Sequence, residues 1–203
     1  MNKSILISIK PKWVAKILNG EKTIELRKTM PKCELPIDVY IYCTKGKQGI
    51  FKERHNGYIL LNQNKWIQSE MNGKVVAKFT LNKVDKHHVL PTERILPFNW
   101  NVEQKLEQLC LTKEEVMAYG NGEDYQAFLW HIDNLVIFDK PKDLSEFSAF
   151  RKPYWNKKTK EFIKEEQKMF GCRIFRVSRL KPLTKAPQSW CYIHGQVIGG
   201  NPL

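Results

Sequence analysis

The chain is poor in the residues that build disulfide frameworks and metal centres. Its five cysteines, Cys33, Cys43, Cys110, Cys172 and Cys191, are an odd number with no Cys-x-x-Cys spacing, which excludes a closed disulfide set and a zinc knuckle. They read as reduced thiols, with Cys43 and Cys191 as fillers inside apolar, strand-like runs. His55, His87, His88, His131 and His194 form no ligand spacing, and adjacent histidines on a strand point to opposite faces. No metal or other cofactor is therefore expected. No stretch approaches the roughly 18 apolar residues of a membrane span, and the first apolar run is interrupted by Ser8 and Lys10 before a signal-peptide core could form. These absences lead us to expect a cytoplasmic protein with no membrane partner. There are no repeats, low-complexity tracts or Pro/Gly/Ser-rich linkers, so one domain over residues 1–203 is expected, with 42% hydrophobic and 27% charged residues as in ordinary globular proteins. The sequence does not specify an oligomeric state.

Acidic residues are also scarce. Lys and Arg number 34 against 21 Asp and Glu, a net charge of +13. Twelve basic and three acidic residues fall between Arg151 and Lys185, so that segment carries +9 and the rest of the chain +4. Tyr154, Trp155, Phe162, Phe170 and Phe175 are interleaved with the charges, a composition suited to contacting phosphates and stacking on bases. Lys157, Lys158 and Lys160 are the candidate nucleic-acid surface. A second reading stands beside this one: Phe162, Ile163, Met169 and Phe170 recur at helical spacing, as on a core-facing helix with a solvated lysine face.

The densest chemistry lies between Asn19 and Lys28. Gly20 suits the left-handed position that ends a helix. A strand over residues 23–27 would put Ile24 and Leu26 on one face and Thr23, Glu25 and Arg27 on the other, with Lys22 at the mouth of the turn. If the polar face is solvated, Glu25 and Arg27 contribute little; if it lines a cleft, a Lys, a Thr, a Glu and an Arg converge there. Ahead of it lies a β-rich run, with Ile5, Ile7 and Ile9 on one face. Pro11 then suits a first helical turn, and Val14, Ile17 and Leu18 recur at helical spacing beside Trp13.

Further along, Gly73 to Asn82 alternates as a strand with one buried face formed by Val75, Ala77, Phe79 and Leu81. Residues 101–119 read as two short helices, the second starting at the capping box of Thr112 and Glu115 and ending at Gly120. Asn121-Gly122 reads as a turn, Tyr125 to Trp130 as a helical turn and Leu135 to Phe138 as a strand. Residues 45–72 read as a loop or a small hairpin.

In Ile7-Ser8-Ile9-Lys10-Pro11-Lys12, the helix after it and Gly20-x-Lys22-x-x-Glu25-x-Arg27, the chain resembles the ASCH domain of the PUA-like superfamily, in its longer bacterial and phage-type form. Val39 to Thr44 and Gly73 to Phe79 look like its next barrel strands. Trp130-His131-Ile132, Leu135 to Asp139 and Pro187 to Tyr192 look like its closing segments. The resemblance implies an α+β fold, a small PUA-like β-barrel with flanking helices, with insertions at about 45–72 and a basic excursion at about 151–186. It also implies a cleft between barrel and first helix that binds RNA or a modified nucleoside. Lys12, Lys22, Thr23, Glu25, Arg27, Gln188 and Ser189 are the ligand-binding candidates.

One branch of the family resembles a hydrolase that removes an acyl group from a modified cytidine with a Lys and a Thr of this loop-strand and a distant Glu. Here Glu25 stands at the hydroxyl's position, three residues after Lys22, and a carboxylate is a poor replacement for an activated hydroxyl. The alternatives to a binder are an amidohydrolase or ribonuclease, with Glu25 as general base and Lys22 as the stabilising cation, and an interaction module without ligand.

Overall fold

The computed structural model describes residues 3–53, 57–89, 102–121, 123–150, 155–156, 161–162, 166–169, 172–175 and 180–194. In chain order its elements are β1 (Lys3–Ile9), α1 (Pro11–Leu18), β2 (Ile24–Arg27), β3 (Ile37–Cys43), β4 (Gln48–Glu53), β5 (Gly57–Asn62), β6 (Val75–Leu81) and β7 (Val84–Val89). They continue with α2 (Val102–Leu109), α3 (Lys113–Tyr119), β8 (Tyr125–His131), β9 (Asp133–Lys142), β10 (Ser148–Phe150), β11 (Trp155–Asn156), β12 (Glu161–Phe162), β13 (Glu166–Met169), β14 (Cys172–Phe175), β15 (Leu180–Pro182) and β16 (Trp190–His194). The described chain is thus mostly strand with a few short helices. None of those helices is long and apolar enough to cross a membrane.

A five-stranded sheet runs β16-β1-β3-β6-β9, in which β1 and β3 are parallel and the other neighbours antiparallel. A three-stranded antiparallel sheet runs β2-β8-β7. Ile5, Ile7 and Ile9 pack with Val14, Ile17 and Leu18 of α1, with Val39 and Ile41 of β3, and with Phe128 and Trp130 of β8, so both sheets and the helix share one core. Among the described residues the two sheets face this core without a ladder closing them into a continuous barrel.

The helix forms because Pro11 occupies its first turn and its apolar residues share one face. It stops at Asn19, after which Gly20 takes φ +76°, a conformation that a side chain at Cβ would strain. The second helix pair is also as the sequence suggests, and Thr112 and Glu115 form both hydrogen bonds of the capping box. Gly120, however, is right-handed, and it is Asn121 that adopts positive φ, +62°.

One expectation fails because burial on both faces hides the period of a strand. Tyr125 to Trp130 is strand β8 and not a helical turn. Its Tyr125, Ala127 and Leu129 enter a second core with Ile24 and Leu26, while Phe128 and Trp130 enter the first, so the run reads as continuously apolar. In β6 the expected buried face holds over Ala77, Phe79 and Leu81, with Lys78 and Thr80 half-buried opposite, and Val76 is buried as well, at a register shift next to Val75. Likewise Leu6 of β1 packs away from its isoleucine neighbours, against Tyr42, Val75, Phe147 and Ile193. The helical reading around Phe162 and Met169 also fails, since these residues end β12 and β13, which pair antiparallel with β11 and β14. Lys157, Lys158 and Lys160 lie outside the described residues. Between residues 45 and 72 the chain forms the β4–β5 hairpin.

Across the β7–β8 ladder, burial pushes the Asp85 carboxyl up, but Lys83 at 2.9 Å and His131 Nε2 at 2.8 Å outweigh it and hold its pKa at about 2. A folded value below the unfolded one stabilises the fold above the ordinary carboxylate range, and that contribution is lost as pH falls toward about 2. Asp85→Asn is therefore expected to lose less stability than the wild type between pH ~4 and ~2, read as urea midpoints. Equal slopes would show that the pair is not formed in solution.

Candidate functional site

Strand β2 is buried on both faces and positions the site. Its register sets Glu25 opposite Trp130 and Arg27 opposite Phe128, on the face of the first core, while Leu26 sits opposite Leu129 in the second. Two charged residues are thereby carried inward with the aromatics of β8 behind them. The solvated alternative for this strand does not hold: the side chains of Lys22, Glu25 and Arg27 are 2%, 9% and 9% exposed.

The three form a linked triad. Glu25 Oε1 lies 2.9 Å from an Arg27 terminal nitrogen and its Oε2 3.3 Å from Lys22 Nζ. Lys22 also donates to the Leu109 carbonyl at 2.6 Å, and the Thr23 amide donates to the Gln108 carbonyl at 3.0 Å. Both carbonyls belong to the last turn of α2, where a cation and donors meet otherwise unpaired acceptors and the negative end of the helix dipole. Arg27 donates to the Ser8 carbonyl of β1 at 2.9 Å and reaches Ser189 Oγ at 3.5 Å. The Ser8 amide in turn donates to the Ser189 carbonyl, and the Ser8 hydroxyl to the Pro187 carbonyl. One ion network therefore ties β2, α2, β1 and the segment leading into β16 together. Arg27 Nε is buried and has no hydrogen-bond partner among the described residues.

The network forms one wall of an open cleft of about 870 Å³, lined by Lys22, Glu25 and Arg27 and also by Ser8, Lys10, Trp13, Thr44, Gln188 and Ser189. Of the residues singled out in the sequence, Lys22, Glu25, Arg27, Gln188 and Ser189 are brought together here. Thr23 is exposed, precedes β2 and is not part of the lining, because the strand begins one residue later than its pattern suggested. Lys12 is also outside the lining. It lies at the rim, half exposed, 3.3 Å from Glu115 and 4.3 Å from the centre of the Trp13 ring.

The opposite wall went unread in the sequence. Glu115, Ala118 and Tyr119 of α3 face the cleft at i, i+3 and i+4, with Asn121 just beyond. Tyr119 lines the cleft together with the triad, and its phenol pKa is pushed up by burial, with Arg27 opposing this and Glu25 adding to it. Lys28 Nζ lies 5.3 Å from the Tyr119 ring centre. The helical spacing of Glu115 and Tyr119 was the available signal, but the capping box accounted for Glu115 by itself. A base or sugar entering this cleft would meet a ring on α1, a ring on α3, and a floor of fixed charges.

No family model matches the chain, and no curated protein matches it. Two solved structures of single-substitution variants of an ASCH protein from Zymomonas mobilis are similar to it, each with a TM-score of 0.43, at 15% and 16% identity, covering 70% of this chain and 76% and 74% of theirs. The chain is likewise similar to the crystal structure of ASCH from Zymomonas mobilis, with a TM-score of 0.45 and 16% identity over 70% of this chain and 73% of that one, a protein bearing the name of the family that the run from Gly20 to Arg27 resembles.

Proposed function

We propose that the chain is a single PUA-like domain, its two sheets curled into a small barrel, which binds RNA or a modified nucleoside in the cleft between α1, α3 and β2. The observation that carries this reading is the buried triad on the wall of that cleft. A volume of about 870 Å³ lies within the range of small-molecule sites. Aromatic faces on both sides and a few fixed polar groups are what a base and a ribose need. Lys22, or Lys12 from the rim, approaches phosphate or a base carbonyl. Glu25 accepts from exocyclic amines or ribose hydroxyls, and Gln188 and Ser189 close the site. Arg27 Nε, without a partner among the described residues, offers one further donor to a ligand acceptor. Both Glu25 oxygens already face cations, an arrangement that favours a fixed acceptor over a mobile general base.

The basic segment from Arg151 to Lys185 supplies the charge for a polyanion. RNA affinity should fall steeply with salt, with a log-log slope of roughly −0.7 per phosphate neutralised on a single strand. Replacing Lys157, Lys158 and Lys160 together by Ala should flatten that slope, measured by fluorescence anisotropy over a salt series. Salt-insensitive binding, or none at low salt, would remove the nucleic-acid reading. A modified nucleoside titrated into the cleft would then be the remaining ligand class.

A further inference from the structure

The β4–β5 hairpin and the turn after it are unused by the cleft, and they present the most exposed aromatic side chain among the described residues. Trp66 is 85% exposed, beside Ile67 at 44% and Leu61 at 42%. Its backbone is nonetheless held: Asn64 Oδ1 accepts from the amides of both Trp66 and Ile67, at 2.8 and 2.9 Å, and the Asn64 amide donates to the Ile67 carbonyl. Gln63 ties this turn to the base of the hairpin, donating from its side chain to the Gly46 carbonyl at 2.8 Å and from its amide to the Lys47 carbonyl. A fixed turn thus holds a bare indole in water, with its ring face open to a stacking partner.

The charges around it identify the partner. Lys65 Nζ lies 5.5 Å from the Trp66 ring centre. Lys45 and Lys47 sit on the strand approach to the hairpin, exposed and with no carboxylate within ion-pair distance among the described residues. They follow directly on Thr44, which lines the cleft beside Lys10. An exposed indole flanked by lysines is complementary to a single strand, with bases stacking on the ring and phosphates meeting the ammonium groups.

Resting on the RNA reading above, we infer that this hairpin is a second contact surface for single-stranded RNA, with Trp66 as a base-stacking platform and Lys45, Lys47 and Lys65 as phosphate contacts. Gly46 is two positions on from Thr44, and Trp66 three positions on from Gln63. At ~3.5 Å per extended residue, plus the Gln63 side chain, the indole lies within about 30 Å of the cleft, a span that several nucleotides cover. The hairpin thus extends the cleft from a one-nucleoside site to a strand-binding track.

The test compares oligomers of different length by anisotropy on wild type, Trp66→Ala, Trp66→Phe and Arg27→Ala. Trp66→Ala should weaken binding of an oligoribonucleotide of about twelve residues roughly tenfold, with Trp66→Phe restoring most of it. It should leave binding of a dinucleotide unchanged, because that ligand does not reach the hairpin. Arg27→Ala should weaken both. If Trp66→Ala binds the long oligomer like the wild type while Arg27→Ala does not, the cleft reading stands and the hairpin inference falls. If the wild type binds no oligomer at low salt, the hairpin inference falls together with the RNA reading, and a modified nucleoside remains as the ligand class of the cleft. Sedimentation covers the other occupant: a concentration-dependent dimer that Trp66→Ala abolishes, with RNA affinity unaffected, would assign the indole to self-association instead.

Discussion

Arg27→Ala is expected to destabilise the protein by about 3 kcal/mol, because it leaves Glu25 buried with one of its two cations gone and strips the Ser8 carbonyl of its donor. For a chain of this size that corresponds to a fall in melting temperature of roughly 6–12 °C. The same variant should lose nucleoside or RNA binding. Stability and recognition can be separated by removing both charges at once. Glu25→Gln with Arg27→Met leaves no unpaired carboxylate and keeps most of the volume, with the buried Lys22 ammonium still held by the Leu109 carbonyl, so its loss of stability should be smaller than that of Arg27→Ala while ligand affinity stays low. Melting curves and titrations on the two single variants and the double then form a cycle whose coupling term should exceed ~1 kcal/mol. Additive losses below that figure would mean that the pair is screened in solution. A double variant that binds like the wild type would reduce the triad to a structural tie between β1, β2 and α2.

Acylated cytidine should not be turned over, as the resemblance already implies from Glu25 at the hydroxyl's position, and the geometry agrees. A hydrolase of the kind the sequence resembles needs a hydroxyl beside Lys22, but that position is Glu25, and attack by a carboxylate would have to pass through an anhydride. The hydroxyl next to Lys22 in the chain, on Thr23, is exposed and outside the cleft lining. If slow turnover is seen by product chromatography, Glu25→Gln and Lys22→Ala should abolish it, because water activation would rest on that carboxylate and cation, while Thr23→Val should retain most of it. Hydrolysis lost in Thr23→Val and kept in Glu25→Gln would overturn this assignment and make the chain an amidohydrolase.

The segment from Ile5 to Arg27 was legible because each of its signals is local. Pro11 and Gly20 fix the ends of α1 by their own backbone preferences, and alternation in a four-residue strand fixes which side Glu25 and Arg27 share. Thr112 and Glu115 mark the start of α3 by a hydrogen-bond pattern only three residues long. Where burial on both faces erases alternation, as in Tyr125 to His131, local pattern cannot tell strand from helix, and the ladder with β2 decides.

The sequence alone therefore determined that a Lys, a Glu and an Arg share one short strand and its turn, because that follows from spacing. It left open whether they are solvated or buried. Tertiary structure decided this by placing Trp130 and Phe128 behind the strand, the end of α2 over Lys22 and Ser8 over Arg27, and it supplied the opposite wall from α3 some ninety residues away. Burial is a property of what packs against a residue, and those partners come from sequence distances that no local period spans.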